Sequence, residues 1–207
     1  MKQCLRIFAV VAALAAACVA GARDIRDFFI AAPAQETGVV LSKSARLDML
    51  DYFNSNLATP TSNELGGRSR ITALSPGSIE VDISDNTKLQ MALVPLKKDT
   101  LIAIVETVNT PVPDSNVRIY TKDWKAIPVQ MPVWTDFVPK NQRAQAEAAD
   151  EPDFTFTTAA FDTGRKVFVF TDRSREYYPA SDVPAVLSLM RPEIRMTFDG
   201  RKLVPAK

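Results

Sequence analysis

The residues that could do chemistry in this chain are carboxylates, a few clustered guanidiniums and one tryptophan beside a tyrosine. Histidine is absent from all 207 residues. That removes Ser-His-Asp and Cys-His catalysis in their usual forms, together with the commonest metal ligand. Both cysteines, Cys4 and Cys18, lie in the first 22 residues, so a structural zinc site is not expected. Asp82-Ile83-Ser84-Asp85-Asn86 offers oxygen ligands at short spacing. It lacks the glycine and late glutamate of a calcium loop, and it reads as a solvated turn. Asp162-Thr163-Gly164 has the tripeptide of an aspartic protease after an apolar run. That chemistry needs two aspartates sharing a proton, and the chain has no second copy; Asp and Gly here suit a hairpin turn. A paired-carboxylate hydrolase stays open, but among 24 acidic residues the sequence nominates no pair. No catalytic residue, metal ligand or cofactor-binding residue is assigned.

Two stretches are candidate contact points for a ligand or partner. Gly66-Gly67-Arg68-Ser69-Arg70 could hold an anion with backbone N–H groups and the guanidiniums of Arg68 and Arg70, although it lacks the lysine and spacing of a phosphate loop. Tyr120, Asp123 and Trp124 sit at a strand–turn–strand tip. There the indole either stacks on a sugar or anchors a partner, or folds back on the sheet edge.

The segments that must position these residues begin after a distinct leader. Lys2 and Arg6, the apolar run Ile7–Ala20 and Ala20-Gly21-Ala22 have the layout of a secretory signal peptide. The apolar run is 14 residues long, short for a membrane span. Export to the periplasm or cell surface is therefore expected, with cleavage after Ala22. Ala15-Ala16-Ala17-Cys18 loosely matches a lipoprotein box, with Leu14 one position too early, so a lipid anchor at Cys18 is the alternative. Removing residues 1–22 takes Lys2 and Arg6 from the 25 basic residues, leaving 23 against 24 acidic, a net charge of −1. Such a balance offers no footprint for nucleic acid. At this length about 70% of the chain's surface can be buried, enough for one domain without disulfides.

Along the mature chain, Asp24–Ala32 is a short apolar lead-in. Ser42–Leu57 reads as an amphipathic helix with Leu47, Leu50, Phe53 and Leu57 on one face. Alternation then takes over. Ile71–Leu74, Ile79–Ile83, Leu89–Leu93, Leu101–Val108 and Val117–Tyr120 read as strands, with Pro76-Gly77 suited to a type II turn. Short connections favour an antiparallel meander. Leu101–Val108 is apolar on both faces, which places it mid-sheet with both faces at least partly covered. Trp134–Val138 suits a helical turn, and Lys140–Asp150 an exposed helix or linker. Phe154–Phe161 with Lys166–Phe170 predicts a hairpin, Ser181–Met190 a helix, and Glu193–Phe198 with Arg201–Pro205 a closing hairpin of type I′ across Asp199-Gly200.

The expected fold is α+β: an antiparallel β-meander sheet with a packed N-terminal amphipathic helix. Residues 23–207 form one domain, with sub-halves 23–131 and 153–207 joined by the Ala/Gln-rich segment 140–150 as a variant. A tandem αβ repeat is the further option, since Val117-Arg118-Ile119 before Asp123 echoes Ile194-Arg195-Met196 before Asp199.

LSKSARLDMLDYF (Leu41–Phe53), NELGGRSRITAL (Asn63–Leu74), LVPLKKDTLIAIVETV (Leu93–Val108) and VRIYTKDWKAIP (Val117–Pro128) resemble, in this order, exported Bacteroidetes proteins grouped as domain of unknown function 3256. The resemblance is best over Asp24–Val129 and implies an envelope or secreted location. It brings no activity and no catalytic residues. The functional expectation is a non-enzymatic binding or interaction module of the cell envelope, its partner an envelope protein or a glycan. The alternative is a carboxylate-dependent hydrolase acting on an envelope polysaccharide or peptide.

Overall fold

The computed structural model describes residues 23–34 and 40–206. The leader 1–22, including Cys18, lies outside the described residues. Among the described residues no helix is long and apolar enough to cross a membrane.

Chain order gives α1 (Ile25–Ala31), α2 (Lys43–Asn54), seven strands, two short helices and four further strands. The first seven strands are β1 (Thr61–Ser62), β2 (Arg68–Leu74), β3 (Ser78–Asp82), β4 (Thr87–Pro95), β5 (Thr100–Val108), β6 (Asp114–Tyr120) and β7 (Ala126–Ile127). They pair in sequence order as one antiparallel sheet. After α3 (Trp134–Phe137) and α4 (Arg143–Glu147) come β8 (Thr157–Asp162), β9 (Val167–Asp172), β10 (Glu193–Phe198) and β11 (Leu203–Pro205). These make a second antiparallel sheet in the order β11-β10-β9-β8. The α+β class and the meander are as the periodicity indicates.

The large sheet is the middle of three layers. Along β5, Ile102 and Ile104 point to one core with α1, α2, Ile79, Val81, Leu89 and Met91. Leu101, Ala103 and Val105 point to another, shared with Phe161, Phe168, Phe170, Met196 and Phe198 of the small sheet. Each fully buried isoleucine contributes about 1.5–3 kcal/mol. A continuous apolar run is thus what a strand covered on both faces requires. The two hairpins of the internal echo lie in different sheets, β6–β7 in the large one and β10–β11 in the small one.

Several local expectations need correction. Within the Asp24–Ala32 lead-in, Ile25–Ala31 is a true helix, capped by the Asp24 carboxylate, which accepts the N–H groups of Arg26 and Asp27. α2 ends at Asn54, short of Leu57; its buried residues are Ala45, Arg46, Met49 and Leu50, with Phe53 packed on the core, while Leu47 and Leu57 are exposed. The helix is rolled so that Arg46 can donate from Nη1 to the carbonyls of Phe29 (2.8 Å) and Ala32 (2.6 Å) at the end of α1. A guanidinium satisfies orphan carbonyls at a helix C-terminus, which no leucine could do. Its burial lowers the Arg46 pKa, and the Glu64 carboxylate works in the opposite direction.

Gly77 does not take positive φ, so Pro76-Gly77 is not a type II turn; the hairpin is closed by Ser75 N–H on Ser78 O and by the two serine hydroxyls. In the last hairpin only Gly200 has positive φ (+104°). The Asp199 carboxylate accepts the N–H groups of Arg201 and Lys202, moving the central pair to Gly200-Arg201 and the geometry toward type II′. The 181–190 stretch yields only a 3₁₀ turn, Ala185–Leu189, and 140–150 is a 3₁₀ turn followed by α4. Ala146, Val186, Leu187 and Val138 form a small third core there, which fixes both stretches against the body.

Candidate functional site

The five residues singled out by sequence are not brought together into one site. Tyr120 is buried, and Trp124 is half-buried at the β6–β7 turn. The Trp124 backbone is left-handed (φ +61°), which costs a non-glycine residue about 1–2 kcal/mol. Its indole lies 5.7 Å from the Tyr120 ring and 6.5 Å edge-on from Phe28 of α1. The ring therefore folds back to tie α1 to the sheet edge, and of this trio only Asp123 is fully exposed.

The Gly66-Gly67 loop is closed from inside. Asn63 Oδ1 accepts the N–H groups of Leu65 (3.0 Å) and Gly67 (2.8 Å), and Asn63 O accepts that of Gly66. Asn63 Nδ2 in turn donates to Ile83 O (2.8 Å) and Ser69 Oγ (3.1 Å). These amides are spent on Asn63, so the loop is no anion nest. Arg68 donates to Pro60 O at 3.0 Å.

Arg70 does enter a larger arrangement. On the face of the large sheet opposite the helices, register sets Arg70 against Asp82, Asp82 against Lys88, and Lys88 against Thr107. Arg70 donates from Nε and Nη2 to Asp82 Oδ2 at 3.2 Å each. Glu80, two residues from Asp82 on the same face, lies 3.5 Å from Gln90 Nε2. With Ala159 and Ala160 of β8 these residues line a groove of about 490 Å³. The small sheet covers β5 and β6 but stops short here, leaving Arg70, Glu80 and Lys88 exposed. Glu80 and Asp82 are the two carboxylates that line this groove. A glycosidase acid needs an apolar setting that holds its proton. Here one carboxylate is exposed and the other is held by a guanidinium.

The remaining motifs resolve as turns. Asp162 Oδ1 accepts Arg165 N–H at 2.9 Å, closing the β8–β9 hairpin. The carboxylates held below their usual range are also at turns. Asp99 is lowered first by the Lys122 ammonium and then by Thr100 N–H, and Asp199 by the N–H groups of Lys202 and Arg201. Among the described residues no three of His, Cys, Asp and Glu converge as metal ligands.

The structure adds an aromatic cluster that sequence reasoning passed over. Phe154, Phe156, Tyr177 and Tyr178 meet where β8 begins and β9 ends, with ring centroids 5.1–5.3 Å apart. Tyr178 OH accepts Phe154 N–H (2.9 Å) and donates to Phe154 O (3.1 Å), locking the strand lead-in. Phe154 and Tyr177 nevertheless stay 53% and 42% exposed. The signal was present as Phe154-Thr155-Phe156 and Tyr177-Tyr178-Pro179. These pieces lie some twenty residues apart, and no periodicity links them.

A family model described as a protein of unknown function (DUF3256) matches residues 17–203. The chain belongs to this family. The family resemblance carried by residues 24–129 thus extends over nearly the whole DUF3256 chain, including the small sheet. A solved domain of an uncharacterized protein from Porphyromonas gingivalis W83 is similar at 18% identity, covering 88% of this chain and 97% of that one, with a TM-score of 0.67. At that identity the likeness shows a shared fold. No curated protein matches.

Proposed function

We propose that this DUF3256 protein is a non-enzymatic binding or interaction module of the cell envelope, whose partner is an envelope protein or a glycan. The envelope location rests on the leader's signal-peptide layout. The observation that carries the binding reading is the four-ring cluster of Phe154, Phe156, Tyr177 and Tyr178, left open to solvent at Phe154 and Tyr177. Large aromatic rings held rigid by their neighbours lose little entropy on contact, and they dominate the energetics of interfaces. The chain spends a tyrosine hydroxyl on fixing the Phe154 backbone while leaving the ring outside.

The test presents purified protein, Phe154→Ala/Tyr177→Ala and Glu80→Gln/Asp82→Asn to immobilised envelope glycan and, separately, to solubilised envelope protein. Expected is saturable binding to one of these by the parent and the carboxylate variant, weakened at least roughly tenfold in the aromatic variant. Soluble fragments released by the parent but not by the carboxylate variant would replace this reading with the hydrolase one. Binding unaffected by loss of both rings would overturn the role of the cluster.

A further inference from the structure

A groove of about 650 Å³ lies on a different part of the surface. Its basic residues come from two distant stretches, Lys140 and Arg143 around the start of α4, and Arg191 and Arg195 at the start of β10. Arg195 is paired with Glu193 at 2.7 Å. Among the described residues Lys140, Arg143 and Arg191 have no ion pair and no side-chain hydrogen bond. The other carboxylate in the groove, Asp136, accepts Val133 N–H at 2.9 Å as the cap of α3. With four cations against two carboxylates the groove carries a net charge of +2, and its walls are tied together where Arg191 N–H bonds Phe137 O and Ala146 anchors α4 in the third core.

The floor is aliphatic, with Ile194 and Met196 among its residues, and contains no aromatic ring. Cations above an aliphatic floor match an acidic peptide, whose carboxylates would meet the guanidinium forks. A sugar chain would lack a ring to stack on.

We propose that the Lys140–Arg143–Arg191 groove beside β10 binds an acidic peptide segment of a partner protein. This stands apart from the aromatic cluster, which its test leaves intact. Binding of a fluorescent Glu-Ala repeat peptide is measured against a Gln-Ala repeat and a uronate oligosaccharide, at low and high salt. The proteins are the parent, Arg143→Ala/Arg191→Ala and Phe154→Ala/Tyr177→Ala. The parent and the aromatic variant are expected to bind the Glu-Ala peptide alone, with affinity falling as salt rises. The arginine variant should lose at least roughly tenfold while keeping the parent's circular dichroism, since both side chains are exposed. Lack of binding by the parent, equal binding by the arginine variant, or preference for the uronate would each overturn the proposal.

Discussion

At the scale of single residues, the polar side chains that matter most are those that turn inward. Asn63 is a buried amide whose four hydrogen bonds serve Leu65, Gly67, Ser69 and Ile83, so one side chain holds the loop and the entry to β2 together. Asn63→Ala strands those groups at a cost of about 2–3 kcal/mol. For a chain of this size that is a fall in thermal midpoint of about 5–10 °C, read by calorimetry. Arg68→Ala, which removes only an exposed bond to Pro60 O, is the matched control and should leave the midpoint almost unchanged. Trp124 teaches the same lesson from an aromatic. A ring at a turn tip looks like a ligand platform until φ is known, and a left-handed φ sends the indole back over Tyr120 and Phe28.

At the scale of elements, the telling contact is how the small sheet docks. β8 is an edge strand, and its outward N–H groups are a liability unless covered. Thr157, Ala159 and Phe161 donate to Asp114 Oδ1 (2.9 Å), Ser115 Oγ (3.0 Å) and Gln90 Oε1 (2.7 Å) respectively. Gln90 Nε2 also donates to Phe161 O at 3.3 Å, so its amide mimics a neighbouring strand. The strand crosses obliquely from β6 to β4, and side chains of the large sheet satisfy it where no backbone can. Gln90→Leu removes both bonds to Phe161 and should cost about 1–3 kcal/mol. Hydrogen exchange should quicken most at Phe161, and an unchanged rate there would count against this docking. The alternation of β4 was legible in the sequence, and Gln90 fell on its polar side. What that side meets, 71 residues later, was not.

At the scale of the whole molecule, the three layers make the two sheets interdependent. The large sheet's second face carries Ala92, Val94, Leu101, Ala103, Val105, Val117 and Ile119, all buried under the small sheet. A chain ending at residue 150 would expose that whole face, and it is expected to aggregate or lose cooperative unfolding. The full chain should unfold in one transition by both calorimetry and far-UV circular dichroism. Two separate transitions would show that the sheets fold as independent units. The same layering explains why one half of that face is apolar and the other carries Arg70, Glu80 and Lys88. β8 covers β5 and β6, and the face beyond its reach stays wet.

The sequence by itself determined the strand periods, the meander order and the two-sided burial of β5, because each depends on residues within one element or its neighbour. It also excluded histidine chemistry outright, since composition needs no fold. Leu50 and Phe53 of α2 face the core as their spacing indicates, but Leu47 does not, and the inward place of Arg46 depends on its long-range bonds to the end of α1. Only the tertiary structure decided which chemistry-bearing residues share a surface. Packing joined Phe154 to Tyr177 and Lys140 to Arg191, pairs separated by tens of residues with no local signal to connect them. Convergence of that kind is a product of burial elsewhere in the chain: the side chains that meet at the surface are placed there by cores they do not belong to.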